Sequence, residues 1–146
     1  MRMTKRMIVA TLALIGVFVA TYLTLFKLGY IGELSCSIGS CEEVNTSRWS
    51  ILLGQPVAAW GIAFYGAVFA IALAGVQERL AMSRGISLLL VAASGSGLLV
   101  SAYLTYLELF VIHAICIWCI TSATIVTLIF IASVLDLRSL PQGVTV

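Results

Sequence analysis

Residues His113–Leu135, HAICIWCITSATIVTLIFIASVL, contain no Asp, Glu, Lys or Arg. A helix rises ~1.5 Å per residue and a bilayer core is ~30 Å thick, so about 20 such residues cross it. At the N-terminal edge of this stretch Cys116 and Cys119 form a C-x-x-C pair. A membrane span and a thiol pair therefore share one segment.

The same test applied outward finds three further charge-free stretches, Met7–Phe26, Val57–Val76 and Gly85–Leu107, while the span that holds the cysteines extends over Leu109–Leu135. Across all 146 residues, 62% are hydrophobic and 10% charged, with a mean hydropathy of +1.15. Soluble globular chains carry roughly 25% charged residues. The expectation is an all-α membrane protein, a single domain over residues 1–146 built as a four-transmembrane-helix bundle. Arg2, Lys5 and Arg6 before Met7–Phe26 resemble the basic start of a signal peptide. No small-x-small site followed by a soluble mature chain accompanies them, so the first helix is expected to remain.

Basic residues set the orientation. Arg2, Lys5 and Arg6, then Arg79 and Arg84, then Arg138 alternate with segments carrying only Lys27 and Arg48, which puts both termini in the cytoplasm of a bacterial inner membrane. Residues 28–56 and a turn near Glu108–His113 then face outward. The net charge of +2 is a topology signal, and no nucleic-acid patch is read in it. Within the outer loop, Gly39 permits a tight turn, and Asn45, Thr46 or Ser47 can cap a short helix leading into Trp49, Ile51, Leu52 and Leu53. These apolar residues are expected to form an interfacial half-helix capping the bundle, with Pro56 in the first turn of helix two. Ser94, Gly95, Ser96 and Gly97 offer a small-residue surface for close helix packing.

Cys36 and Cys41, spaced C-x4-C in the outer loop, fall on the same side as Cys116 and Cys119. That compartment is oxidising, so four cysteines there are expected to be paired or cycling. Three readings stand: two inert disulfides, a four-cysteine zinc site, or an electron relay by thiol–disulfide exchange. Zinc sites serve mainly small soluble folds, and a C-x-x-C at a helix N-terminus is prone to exchange because the helix dipole stabilises its thiolate. These arguments favour the relay, with no metal. Cys119 falls about one turn deeper than Cys116, and a lipid-soluble acceptor is its natural partner. Trp60 and Phe64 at i and i+4, with Leu104, are suitable walls for an apolar pocket.

The order Cys36-x4-Cys41, Ser47 six residues later, Gly61 and Tyr65, then Cys116-x-x-Cys119 resembles the vitamin K epoxide reductase family. The likeness spans about Tyr30 to Ser122. It implies a four-helix bundle around a quinone, ubiquinone or menaquinone, with Cys116 and Cys119 reducing the quinone. Cys36 and Cys41 are implied to pass electrons from a thioredoxin-like protein, and Ser47 to bond within the loop or to the quinone. Many bacterial members carry a fused C-terminal thioredoxin-like domain. This chain ends at Val146, so a periplasmic thioredoxin-like partner is expected to act in trans. Where vertebrate members carry a tyrosine and an asparagine that touch the vitamin, this sequence has Ala123 and Val57. Quinone reduction coupled to protein disulfide formation is expected in place of epoxide reduction.

A reading from another class is a non-enzymatic membrane subunit or small transporter whose cysteines only staple the loop. The bacterial quinone-linked thiol oxidases that carry their C-x-x-C near the first outer loop fit less well, because here the motif begins the last helix. His113, the one histidine, is read as an interfacial polar residue of the turn and kept out of the catalytic set.

Overall fold

The computed structural model describes residues 2–30, 32, 41–81 and 83–139. Four long helices form the bundle: α1 (Arg2–Lys27), α3 (Val57–Val76), α4 (Arg84–Leu107) and α5 (Ile117–Arg138). A short helix, α2 (Cys41–Thr46), and a two-stranded ribbon of β1 (Ile51–Leu52) and β2 (Gln55–Pro56) lie between α1 and α3. The four long helices, with α4 prolonged to Ile112, are each long and apolar enough to cross a membrane. This is the membrane bundle expected from the sequence.

Each long helix packs against two others in the ring α1, α3, α4, α5. The centre is filled by Val9, Ala13 and Ala20 of α1, Tyr65, Val68 and Ala72 of α3, Leu90 of α4, and Ile125 and Ile129 of α5. Alanines dominate the α1 face, so its neighbours approach closely. At Gly16 a β-carbon would overlap the Tyr65 ring, and at Gly97, within the small-residue stretch of α4, it would overlap the Phe64 ring. Phe18, Leu73, Leu99, Leu128 and Ile131 point outward and are exposed. Such an apolar surface is unfavourable in water and is what hydrocarbon solvates.

Helix ends follow their local chemistry. After α1, Gly29 adopts φ +87°, its N–H donates to Phe26 O at 3.1 Å and the Tyr30 N–H donates to Leu25 O at 3.0 Å. This is the paired-carbonyl stop that favours glycine. The half-helix expected over Trp49–Leu53 is displaced. Helix occupies Cys41–Thr46, a 3-10 turn occupies Arg48–Ser50, and Ile51–Leu52 is strand. Leu53 and Gly54 both take positive φ, 53° and 79°, closing a two-residue hairpin that a continuing helix could not contain. Pro56 ends β2 and stands just before α3. The Trp60 indole N–H donates to Leu52 O at 3.0 Å and ties the ribbon to α3.

The apolar run Leu109–Leu135 is divided between two helices. Its first residues continue α4 as a wide π turn, Glu108–Ile112, and His113 then reverses the chain at φ 58°. Extended backbone at Cys116 leads into α5.

Arg6, counted in the sequence with the basic flank, is fully buried. Its guanidinium donates from Nε to Asp136 Oδ2 at 3.1 Å, from Nη1 to Gly75 O at 2.6 Å and Leu80 O at 3.0 Å, and from Nη2 to Ser87 Oγ at 3.0 Å. One side chain thus joins all four long helices at the end remote from the cysteines. A buried cation needs this many acceptors because desolvation would otherwise expel it.

Candidate functional site

The bend His113–Cys116 lies at the end of the bundle that α2 and the ribbon cover. Cys116 is fully buried and immediately precedes the first residue of α5. Cys119 follows within the first turn, half-buried. The intervening Trp118 packs its ring against Tyr22 of α1, centroids 5.0 Å apart and planes tilted by 57°, which restrains the rotation of this first turn.

The Cys116 and Cys119 thiols are hydrogen-bonded to each other. That bond is the main reason the Cys116 thiol is lowered to about 7, with help from the Cys119 and Trp118 peptide groups and against the opposing effect of burial. A thiol with peptide N–H groups of a helix start aimed at it is stabilised as thiolate, the electrostatics of an attacking or leaving sulfur.

Beside the pair lies a cavity of about 330 Å³, lined by residues of all four long helices and of the cap. Cys119 lines it, together with Trp60, Phe64 and Leu104, the walls expected from helical spacing, and with Ser47. Ala123 and Val57 also line it, so the two positions that lack the vertebrate polar side chains face the same space. Ser47 makes no capping bond to a following N–H; its hydroxyl donates back to Val44 O at 2.8 Å. Val44 of α2 is buried in the same apolar cluster as Cys116. The helix that begins at Cys41 therefore rests on the bundle beside the C-x-x-C. Of Cys41 only the backbone is described, and Cys36 lies outside the described residues.

Two polar features were not singled out as site residues from the sequence. Tyr65 and Ser122 hydrogen-bond across the cavity, Oη to Oγ at 2.7 Å. Glu108, 5% exposed, accepts the Cys116 N–H on Oε2 at 3.1 Å and lines the cavity. Its only sequence signal is a lone carboxylate eight residues before Cys116, between two apolar stretches. Among the described residues no group of three or more His, Cys, Asp or Glu side chains gathers in a metal-holding arrangement.

A reactive thiol pair at the wall of an apolar cavity inside a membrane bundle is the equipment of a membrane thiol oxidoreductase. A family model described as the Vitamin K epoxide reductase family matches residues 7–134, and the chain belongs to that family. Its activity is, in kind, that of a quinone-linked thiol oxidoreductase in a multi-pass membrane protein.

Proposed function

We propose that this protein carries electrons from a periplasmic thioredoxin-like protein, through Cys36 and Cys41 and then Cys116 and Cys119, to a quinone held in the cavity. The observation that carries the reading is the position of Cys119 on the wall of the apolar cavity with Cys116 at its side. The orientation that fits it has both termini in the cytoplasm and the cysteines at the outer face of a bacterial inner membrane, in one membrane domain.

The partner's thiolate attacks Cys36, and the loop disulfide breaks to release Cys41. Cys41 attacks Cys116, forming a loop-to-bundle disulfide and releasing Cys119. The partner's second thiol then breaks the bond between the partner and Cys36, so the partner leaves oxidised, and the freed Cys36 attacks Cys41, re-forming Cys36–Cys41 and releasing Cys116 so that the inner pair becomes a dithiol. Cys119 then delivers an electron pair to the quinone, and Cys116 closes on Cys119 to restore the inner disulfide. Two thiols of the partner are thereby oxidised and one quinone is reduced to hydroquinone. Each exchange needs three sulfurs near a line, which requires the cap to move. Trp60, Phe64 and Leu104 exclude water from the ring, and Ser47 is a polar contact at the cap. Val57 and Ala123 leave the head group without the polar contacts associated with epoxide chemistry.

Anaerobic mixing of the purified protein with a reduced periplasmic thiol protein and either ubiquinone or menaquinone tests this by quinone absorbance. Turnover that vanishes in Cys119→Ser is expected. Turnover retained in that variant would put the redox centre elsewhere.

A further inference from the structure

We propose that Glu108 is the proton carrier between the Cys119 thiol and the quinone oxygen, an inference that rests on the quinone-reducing reading of the same cavity. Three observations meet on this side chain. It is nearly buried in a membrane span, where a carboxyl without a function is costly to keep. It is hydrogen-bonded to the Cys119 thiol, the sulfur on the cavity wall. It lines the cavity itself, so one carboxyl touches both the proton's source and the space that holds its destination.

The backbone around Glu108 is built to hold it there. The carbonyl of Glu108 accepts the N–H of His113 and, at 3.0 Å, that of Ala114, while its Oε2 accepts the Cys116 N–H at 3.1 Å. The wide π turn that begins at Glu108 rotates the end of α4 relative to a regular helix, a distortion common at functional positions. With one oxygen engaged by the Cys116 peptide, the carboxyl is oriented toward the thiol pair. Proton transfer by a side chain needs hydrogen-bond reach before anything else.

Quinone reduction by a dithiol moves two electrons and two protons, and residue chemistry accounts for both. The Cys119 thiol gives its proton to the Glu108 carboxylate, and its sulfur passes an electron pair to the ring. Glu108 returns the proton to the quinone oxygen that gains charge. Cys116 then attacks Cys119, forming the S–S bond as the pair of electrons shared with the ring stays with the quinone. The second proton, from the Cys116 thiol or from water where that thiol is already ionised, reaches the second oxygen. The products are one disulfide and one hydroquinone. Among the described residues Lys27 of α1 and Tyr65 of α3 also line the cavity, while the side chains hydrogen-bonded to the Cys119 thiol are Cys116, its redox partner, and Glu108.

The test uses the full chain with a small dithiol as donor and a short-chain quinone as acceptor, from about pH 6 to about pH 9, comparing wild type with Glu108→Gln and Glu108→Asp. Glu108→Gln keeps an oxygen for the Cys116 N–H but cannot relay a proton. It is expected to slow quinone reduction about 100-fold and to make the remaining rate climb about tenfold per pH unit as hydroxide takes over. Glu108→Asp should recover part of the rate and the wild-type pH profile. Formation of the inner disulfide by diamide, which needs no proton delivered to a quinone oxygen, should slow far less than quinone reduction in Glu108→Gln. A Glu108→Gln protein with wild-type rate and profile overturns the proposal. So does one that loses quinone and diamide reactions equally, since Glu108 would then only hold the bend. Wild-type protein that fails to reduce quinone, or Cys119→Ser that still does, overturns the function reading, and this inference falls with it.

Discussion

Tyr65 and Ser122 are hydrogen-bonded from one side of the bundle to the other, from α3 to α5, two helices that are not neighbours in the ring. The Tyr65 hydroxyl donates to Ser122 O at 2.9 Å, and with its proton so used it accepts from Ser122 Oγ at 2.7 Å. The pair is a polar bar at the wall of the apolar cavity. Tyr65→Phe is expected to cost about 1 kcal/mol of stability. Because Ser122 would then offer its hydroxyl to the cavity, the variant should also change the KM for quinone more than kcat, measured by steady-state quinone absorbance.

The Arg6–Asp136 ion pair should matter most when broken from one side. Arg6→Ala or Asp136→Ala leaves a buried charge without its partner, at a cost of about 3–5 kcal/mol. The apolar double variant Arg6→Met with Asp136→Leu should cost much less than the sum of the two. Thermal unfolding in detergent reads the difference, and equal, additive losses would contradict it.

Cys116 should titrate near pH 7 in the reduced protein, against about 8.5 for an ordinary cysteine. Thiolate ultraviolet absorbance checks the midpoint, and Cys119→Ala should move it upward by removing the thiol hydrogen bond. The folded value lies below the unfolded one. The associated stability is therefore fully present above about pH 8.5 and is lost as pH falls through about 7. The inner disulfide form lacks this dependence.

A relay through the cap requires that Cys41 and Cys116 meet. Cys36→Ser with Cys119→Ser removes the sulfurs that would resolve their bond, so Cys41 and Cys116 should oxidise to each other within one chain. Cleavage between Arg79 and Arg84 should then leave the halves linked until reductant is added. Halves that separate, with both thiols open to alkylation, would mean that the two pairs do not meet.

The four spans were legible because length and apolarity alone define a crossing helix, and α3 runs over the very residues, Val57–Val76, that the charge-free stretch marks. Trp60, Phe64 and Leu104 line the cavity, a position their helical spacing and depth relative to the cysteines suggest, while contact with a quinone there belongs to the proposed function. Charge patterning reads Arg6 only as one of the basic residues that set orientation, and its burial could not be seen because it depends on Asp136, 130 residues away. Glu108 was invisible for a similar reason, since a lone acid between apolar stretches reads as the turn that separates them. The ribbon at Ile51–Pro56 was missed because apolar residues after a capping serine suit a helix, and the left-handed backbone of Leu53 and Gly54 decides otherwise.

The guanidinium cluster around Arg6 gives the bundle a mechanical polarity. At that end, one side chain rivets four helices through charged and carbonyl acceptors. At the other, among the described residues, Val44 of the cap is buried in the apolar cluster and the Trp60 indole bonds to the ribbon. The motion that the proposed sulfur relay requires can therefore be confined to one pole while the opposite pole acts as a fixed base. Amide hydrogen exchange should record it as a gradient, slow around Arg6 and Ser87 and quickening toward α2 and the start of α5.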